Sequence, residues 1–266
     1  MQRPSIHQRY SDNILIGATV TPTPAPMATY TANTLLTHRP GDRVRWSTGT
    51  VNLRFDLPAP MRADLLVIPC WNVIDESEPV VTLESDAGLS VPIAVPTMMP
   101  SGIPRTTAAD LELLEADAAK RTSNGFNLII DGNAVNLIMG GCVLLYGPKR
   151  TFDDTEWGWD FSRDAQYYAE AHENEYGTDL VSTKRTRRRA YNVSTMASRE
   201  DAETIELWAD ANFANGLPGL IWPRPDLNYE AYFGRLDAML KQAARQGDGV
   251  EIALTFTEIS KGKPVA

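Results

Sequence analysis

Val51-Asn52-Leu53-Arg54-Phe55-Asp56-Leu57 alternates strictly between apolar and polar side chains, and the fold class turns on this stretch. A period of two places successive side chains on opposite faces. Val51, Leu53, Phe55 and Leu57 therefore make the dry face of a half-buried strand, with Asn52, Arg54 and Asp56 toward water. Working outward, the apolar run 14–20 is stopped by Pro22, Pro24 and Pro26, which exclude a central strand and predict an extended surface segment. Downstream, 65–68 and 80–83 are short apolar runs set between turn residues, and Asp86-Ala87-Gly88 is a turn before Leu89-Ser90-Val91. Residues 126–130 run into Asp131-Gly132-Asn133, a hairpin signal, and 135–145 would be the returning strand. Many short strands at close spacing predict a β-sandwich over residues 1–150. Between about 98 and 124, Leu111, Leu113, Leu114 and Ala118 share one helical face, which predicts an inserted helical segment lying mostly at the surface.

After Gly147-Pro148 the composition changes, and 151–266 reads as a separate α+β domain. Residues 151–176 are acidic and aromatic without a period, which predicts a long connection. Residues 180–195 carry Ser182, Lys184, Thr186 and Arg188 on one face, with Thr183, Arg185, Arg187 and Arg189 on the other. So polar a strand needs partners, at an exposed edge or beside another subunit. Ser198 opens a helix as its cap, with Ala202, Ile205, Ala209 and Phe213 on one face and Asn215-Gly216 as its stop. Residues 220–223 predict a strand ended by proline, 232–240 fit strand or helix equally, and 250–256 alternate as a final strand.

The 266 residues are 43% hydrophobic and 22% charged, enough apolar material for a real core, which excludes disordered, collagen-like and coiled-coil classes. A net charge of −9 argues against a generic nucleic-acid binder or a basic membrane-surface protein, although it leaves room for a local basic patch. No run approaches the roughly 18 apolar residues of a membrane helix, and the N-terminus lacks the apolar centre of a signal peptide, so synthesis in a cytoplasm without membrane insertion is expected. Cys70 and Cys142 lie in apolar surroundings and read as buried thiols.

The catalytic inventory is thin. The three histidines, His7, His38 and His172, belong to no His-Glu-x-x-His helix, and no Gly-x-Ser-x-Gly elbow presents a nucleophile. Glu170, His172, Glu173, Glu175 and Asp179 match no calcium-loop spacing. No catalytic residue, metal ligand or cofactor is expected. Two binding features remain. Residues 33–46 bring His38, Arg39, Arg43 and Arg45 close in sequence to Trp46, a set that suits stacking on a sugar or holding an acidic group. The other reading has Trp46 plugging the sandwich end and the arginines solvated or paired. The basic strand with Arg185, Arg187 and Arg189 suits an acidic subunit interface better than nucleic acid. Trp157, Trp159 and Trp222 lie in irregular segments, as interface anchors or as core.

Residues 33–46, followed by the apolar strand 51–57, resemble the loop and strand of discoidin-like (coagulation factor 5/8 type C) jelly rolls. Residues 63–71, the hairpin 81–88 and 126–147 continue that likeness. Within this group the chain looks most like tail-tip or baseplate proteins of long-tailed phages. There a jelly roll ending in a Gly-rich strand, here 138–147, precedes a basic strand, a helix, a Trp-Pro segment, a Tyr-Phe-Gly-Arg turn and a closing strand. Here these are 183–189, 198–215, 217–225, 232–235 and 250–258. The resemblance implies a virion tail protein without cofactor. Its partners would be other tail-tip, baseplate and tail-tube subunits, a symmetric homo-oligomeric ring, and a host-surface glycan on the jelly roll. A carbohydrate-binding module without catalytic activity is the alternative.

Overall fold

The structure is a computed structural model that describes residues 5–48, 50–69, 71–73, 80–95, 106–131, 137–149, 151–152, 159–166, 170–173, 179–182, 188–213, 216–222, 231–243 and 249–258. The first half runs β1 (Ser5–Arg9), β2 (Thr19–Thr23), β3 (Leu36–Trp46), β4 (Val51–Arg62), β5 (Leu65–Ile68), β6 (Trp71–Val73), β7 (Val80–Ser85), β8 (Ser90–Ile93), β9 (Thr107–Asp110), α1 (Leu111–Leu114), β10 (Thr122–Asp131), β11 (Leu137–Cys142) and β12 (Leu144–Tyr146). The second runs β13 (Thr151–Phe152), β14 (Trp159–Gln166), β15 (Glu170–Glu173), β16 (Asp179–Ser182), β17 (Arg188–Ala197), α2 (Arg199–Phe213), β18 (Gly219–Trp222), β19 (Tyr232–Ala243) and β20 (Val250–Glu258). The protein is mainly β, a β-sandwich followed by an α+β arrangement with one main helix, and each described strand pairing is antiparallel.

The sandwich sets a five-stranded sheet, in the order β2-β4-β10-β7-β8, against two three-stranded sheets, β3-β11-β6 and β12-β5-β9. The alternation in β4 works as expected: Val51, Leu53, Phe55 and Leu57 are buried and pack with Leu83, Phe126, Leu128 and Ile130 from the neighbouring strands. Both edges of the five-stranded sheet carry proline, Pro22 on β2 and Pro92 on β8, which removes donors that a stray strand would use. The turn Asp86-Ala87-Gly88 forms, with Gly88 at φ +93° where a side chain would be strained.

Strand β5 explains how the halves join. All four of its residues are buried, because the strand has two dry faces. Leu66 and Ile68 point into the sandwich core, whereas Leu65 and Val67 point the other way, onto Ile6, Leu220, Trp222, Ala231 and Phe233. All of these but Ala231, which immediately precedes β19, belong to a seven-stranded sheet, β13-β1-β18-β19-β20-β17-β14. Its opposite face, with Ile221, Tyr232, Ile252, Leu254 and Phe256, is covered by Ala202, Ile205, Trp208 and Ala209 of α2. The chain is therefore a stack: helix, seven-stranded sheet, the small β12-β5-β9 sheet, and the five-stranded sheet. Burying a Leu, Val or Phe side chain is worth about 1.5–3 kcal/mol, so this shared layer is a substantial bond between halves.

Four expectations change. Residues 126–145 are not a hairpin: β10 pairs with β4 and β7, while β11 pairs with β3 and β6, so the chain crosses from one sheet to the other. A turn signal fixes only the reversal, and the apolar faces of both strands are satisfied by separate sheets. Among the described residues of 98–124, which begin at Thr106, helix is limited to the single turn α1, with β9 before it; Leu111 is buried beside Asp64, and Leu113 and Leu114 are exposed. Residues 151–176 contain strands β13, β14 and β15 in place of a long connection. Finally, β1 lies at the start of the sequence, yet pairs with β13 and β18 in the sheet of the second half. The ambiguous 232–240 stretch is strand, and α2 is capped as expected, with the Asp201 amide donating to Ser198 Oγ at 3.0 Å.

Candidate binding and assembly surfaces

The stretch 33–46 is a turn of 3-10 helix (Ala32–Leu35) leading into β3, not a free loop. Strand β3 pairs with β11, placing Arg39 opposite Gly141, Arg43 opposite Gly140 and Arg45 opposite Ile138, with ladder irregularities at Gly140 and Gly141. Trp46 is 1% exposed, packed in the sandwich core, and its Nε1–H donates to the Pro24 carbonyl at 3.0 Å. Its ring is closed to a sugar, a correction to the stacking reading; of the two sequence readings, the plug is the one the structure shows. Arg43 and Arg45 are half-buried and engaged. His38 and Arg39 lie on the same strand. The structure thus puts His38, Arg39, Arg43 and Arg45 on one strand and takes Trp46 out of the set.

Of the assembly candidates, Trp222 is core: 1% exposed, it sits in the layer between the halves. Trp159 begins β14, opposite Thr195. Arg189 lies on β17, opposite Ala165. Trp157, Arg185 and Arg187 lie outside the described residues. Strand β17 is not the exposed edge that its polarity predicts, because β14 and β20 flank it on both sides from Ala190 to Thr195. The edge of the sheet is β14 instead. Among the described residues no strand pairs with its outer side, and it contains no proline.

Two charged clusters carry no sequence motif. On the five-stranded sheet, Arg54 donates to Asp56 at 2.8 Å and forks onto Asp86 at 2.6 and 2.5 Å. This bonding raises the Arg54 pKa and holds the Asp86 carboxyl below its usual range. The guanidinium passes over Gly125, where a Cβ would lie 2.0 Å from Nη2. Cross-strand register brings these groups together, and only a known pairing of β4 and β10 could have revealed it. At the other cluster, the buried Arg121 meets the buried Asp64, which Arg62 also holds at 2.7 Å. Burial, then the nearby Arg62 charge, pushes the Arg121 pKa down. Lys149 bonds Asp110 at 2.9 Å and Glu112 at 2.7 Å, beside Pro148 where the chain leaves the sandwich. Both clusters are internally paired, which suits scaffolding. Among the described residues no group of His, Cys, Asp and Glu is arranged to hold a metal ion, and no helix is long and apolar enough to cross a membrane.

No protein-family model matches the chain, and no curated protein matches it. Solved structures similar to it include a family 89 glycoside hydrolase from Clostridium perfringens, at 12% identity and TM-score 0.36 over 51% of this chain. Another is a family 29 fucosidase from Ruminococcus gnavus, at 13% identity and TM-score 0.37 over 55% of this chain. A third is the family 32 carbohydrate-binding module of Clostridium perfringens NanJ, solved with galactose, at 10% identity and TM-score 0.36 over 53% of this chain. The chain spans 14%, 28% and 98% of their respective lengths. These are carbohydrate-active proteins and none is a virion protein. At such scores they carry no argument about this chain, whose fold class rests on its own strand pairing.

Proposed function

We propose that this chain is a non-catalytic binding subunit: its second half seats it in a larger symmetric assembly, and its sandwich faces outward toward a carbohydrate ligand. The observation that carries this reading is the dry layer of Leu65, Val67, Trp222 and Phe233, which fastens the sandwich directly onto a sheet whose outer strand β14, among the described residues, is paired on one side only. A module that only needs to float near its target suits a linker; one that transmits position suits a fused apolar layer. In its finest form the reading makes the chain a phage tail-tip or baseplate component, supported by the order of segments in 138–258, with other tail subunits as partners and the virion tail as its location. Mass spectrometry of purified, nuclease-treated tailed particles tests this: the chain is expected in stoichiometric amount, and its absence overturns the assignment.

A second reading, a carbohydrate-binding module acting alone, is favoured by one observation: the sandwich closes a core of its own, from Ile14 to Leu145, without the second half. Glycan arrays probed with the full chain and with Arg39→Ala separate the surfaces. Binding lost in the variant assigns the ligand to β3, and unchanged binding moves it elsewhere on the sandwich. Neither reading includes turnover, so hydrolysis of any bound glycan would overturn both.

A further inference from the structure

We propose that Lys149 and Asp110 join through an intramolecular isopeptide bond, with Glu112 moving the protons, so that the exit of the chain from the sandwich is stapled covalently to β9. Neither the binding nor the assembly reading is needed for this bond.

Lys149 Nζ lies 3.0 and 2.9 Å from the two carboxylate oxygens of Asp110 and 2.7 Å from Glu112 Oε2. The amine therefore faces both oxygens of one carboxyl group while a second carboxyl group touches it. Lys120, the other lysine with a described carboxylate partner, meets Glu115 alone and has a side chain 43% exposed, whereas those of Lys149 and Asp110 are 16% and 8% exposed. Arginine pairs such as Arg54 with Asp86 cannot follow the same course, because a guanidinium keeps its proton. Asp110 stands just before α1, where a carboxylate commonly caps the helix amides. Its side chain makes no cap bond and turns to Lys149 instead. Both backbones are fixed. Asp110 pairs with Leu65 in the β5–β9 ladder, and the carbonyl of Pro148 accepts from the buried Gln8 side chain at 3.2 Å. Reacting groups held in this way gain an effective concentration on the order of 10⁵ M when well oriented.

The chemistry needs no co-reactant, and the ion pair is the state from which it starts. Shelter from water favours the neutral form of the pair, reached when a proton passes from the Lys149 ammonium to the Asp110 carboxylate. The Nζ lone pair then bonds to Asp110 Cγ, and the carbonyl π pair moves onto its oxygen. Glu112, whose carboxyl Lys149 and then Arg62 hold below the usual range, enters ionised. It takes a proton from the nitrogen and delivers it to the Asp110 hydroxyl, whose C–O bond breaks as the carbonyl re-forms. One water leaves, Glu112 is a carboxylate again, and the ammonium and carboxylate have become one neutral amide. The tie spans 39 positions of sequence and, unlike a disulfide, is indifferent to reductants.

Intact-mass spectrometry of the full chain, followed by tryptic mapping, tests this. Wild type is expected to be lighter than its sequence mass by one water, with peptide 106–120 joined to peptide 122–150 and no cleavage after Lys149. Lys149→Arg and Asp110→Ala are expected to show their full masses. Glu112→Gln is expected to form the bond about a hundredfold more slowly, so that freshly purified chains keep the full mass. Circular dichroism checks that each variant is folded, and the wild-type mass decides the matter even where one is not. Wild type that still has its full mass after prolonged incubation at neutral pH overturns the proposal. So does a water loss that persists in Lys149→Arg or maps to other residues. A folded Glu112→Gln that is already bonded on purification overturns the role of Glu112.

Discussion

Arg121 and Asp64 are each 1% exposed, and their pairing shows what single residues do in this fold. Asp64 also receives Arg62, and its backbone amide donates to the Tyr146 carbonyl at 2.7 Å, so the carboxylate sits where β4, β10 and β12 meet. Removing one partner of a buried ion pair strands the other charge. Arg121→Met is expected to cost about 3–5 kcal/mol in urea denaturation, with part recovered when Asp64→Asn is added. Asn13 has a comparable role for neutral groups: its buried Oδ1 accepts from the Leu15 and Leu145 amides at 3.2 and 3.0 Å, pinning the crossing from β1 into the sandwich. Asn13→Ala leaves two buried donors unmet, an expected loss of about 2 kcal/mol by the same assay. Exposed pairs behave differently. The Asp86 and Glu112 carboxyls are held low by Arg54 and Lys149, so their contribution exists above the ordinary carboxylate range and is lost as pH falls through their lowered folded values. Because Asp86 is about half exposed, Arg54→Ala should flatten the loss of stability below about pH 4 by no more than about 1 kcal/mol.

Elements were legible in the sequence where one local rule fixed them. The period of two in 51–57 gave β4, and Ser198 with Gly216 bounded α2, whose Gly216 takes φ +66° beyond its end. Ser198→Ala should therefore cost about 1 kcal/mol in thermal melts. Pairing partners were not legible. Residues 126–145 carry a turn signal, but the decision between hairpin and crossover depends on which sheets have room for their faces. Strand β14 was hidden because Arg163 interrupts the alternation of Trp159, Phe161 and Ala165 with Asp160, Ser162 and Asp164, leaving the run too short to stand out; backbone pairing with β17 defines it. The ligand set fared likewise. Arg39, Arg43 and Arg45 share a strand, whereas Trp46, which the sequence leaves open as a stacking platform or a core plug, is claimed by the core. A lone aromatic beside arginines cannot be assigned to surface or core until the strand carrying it is placed.

At the scale of the whole molecule, the β12-β5-β9 sheet couples everything, because Leu65 and Val67 serve one neighbour and Leu66 and Ile68 the other. Trp222→Ala removes the largest ring of the shared layer and should lower stability by about 3–5 kcal/mol, reducing amide-exchange protection in both halves together. A variant that loosens only the seven-stranded sheet would show the coupling to be weak. Under the proposed function, this coupling is what would let an assembled base position an outward-facing sandwich. Electron microscopy of purified tailed particles labelled with a gold-conjugated antibody against this chain tests it most directly. Label is predicted at the distal end of the tail, in a symmetric cluster. Unlabelled tails, with the epitope shown to be accessible in partly disassembled particles, would contradict it.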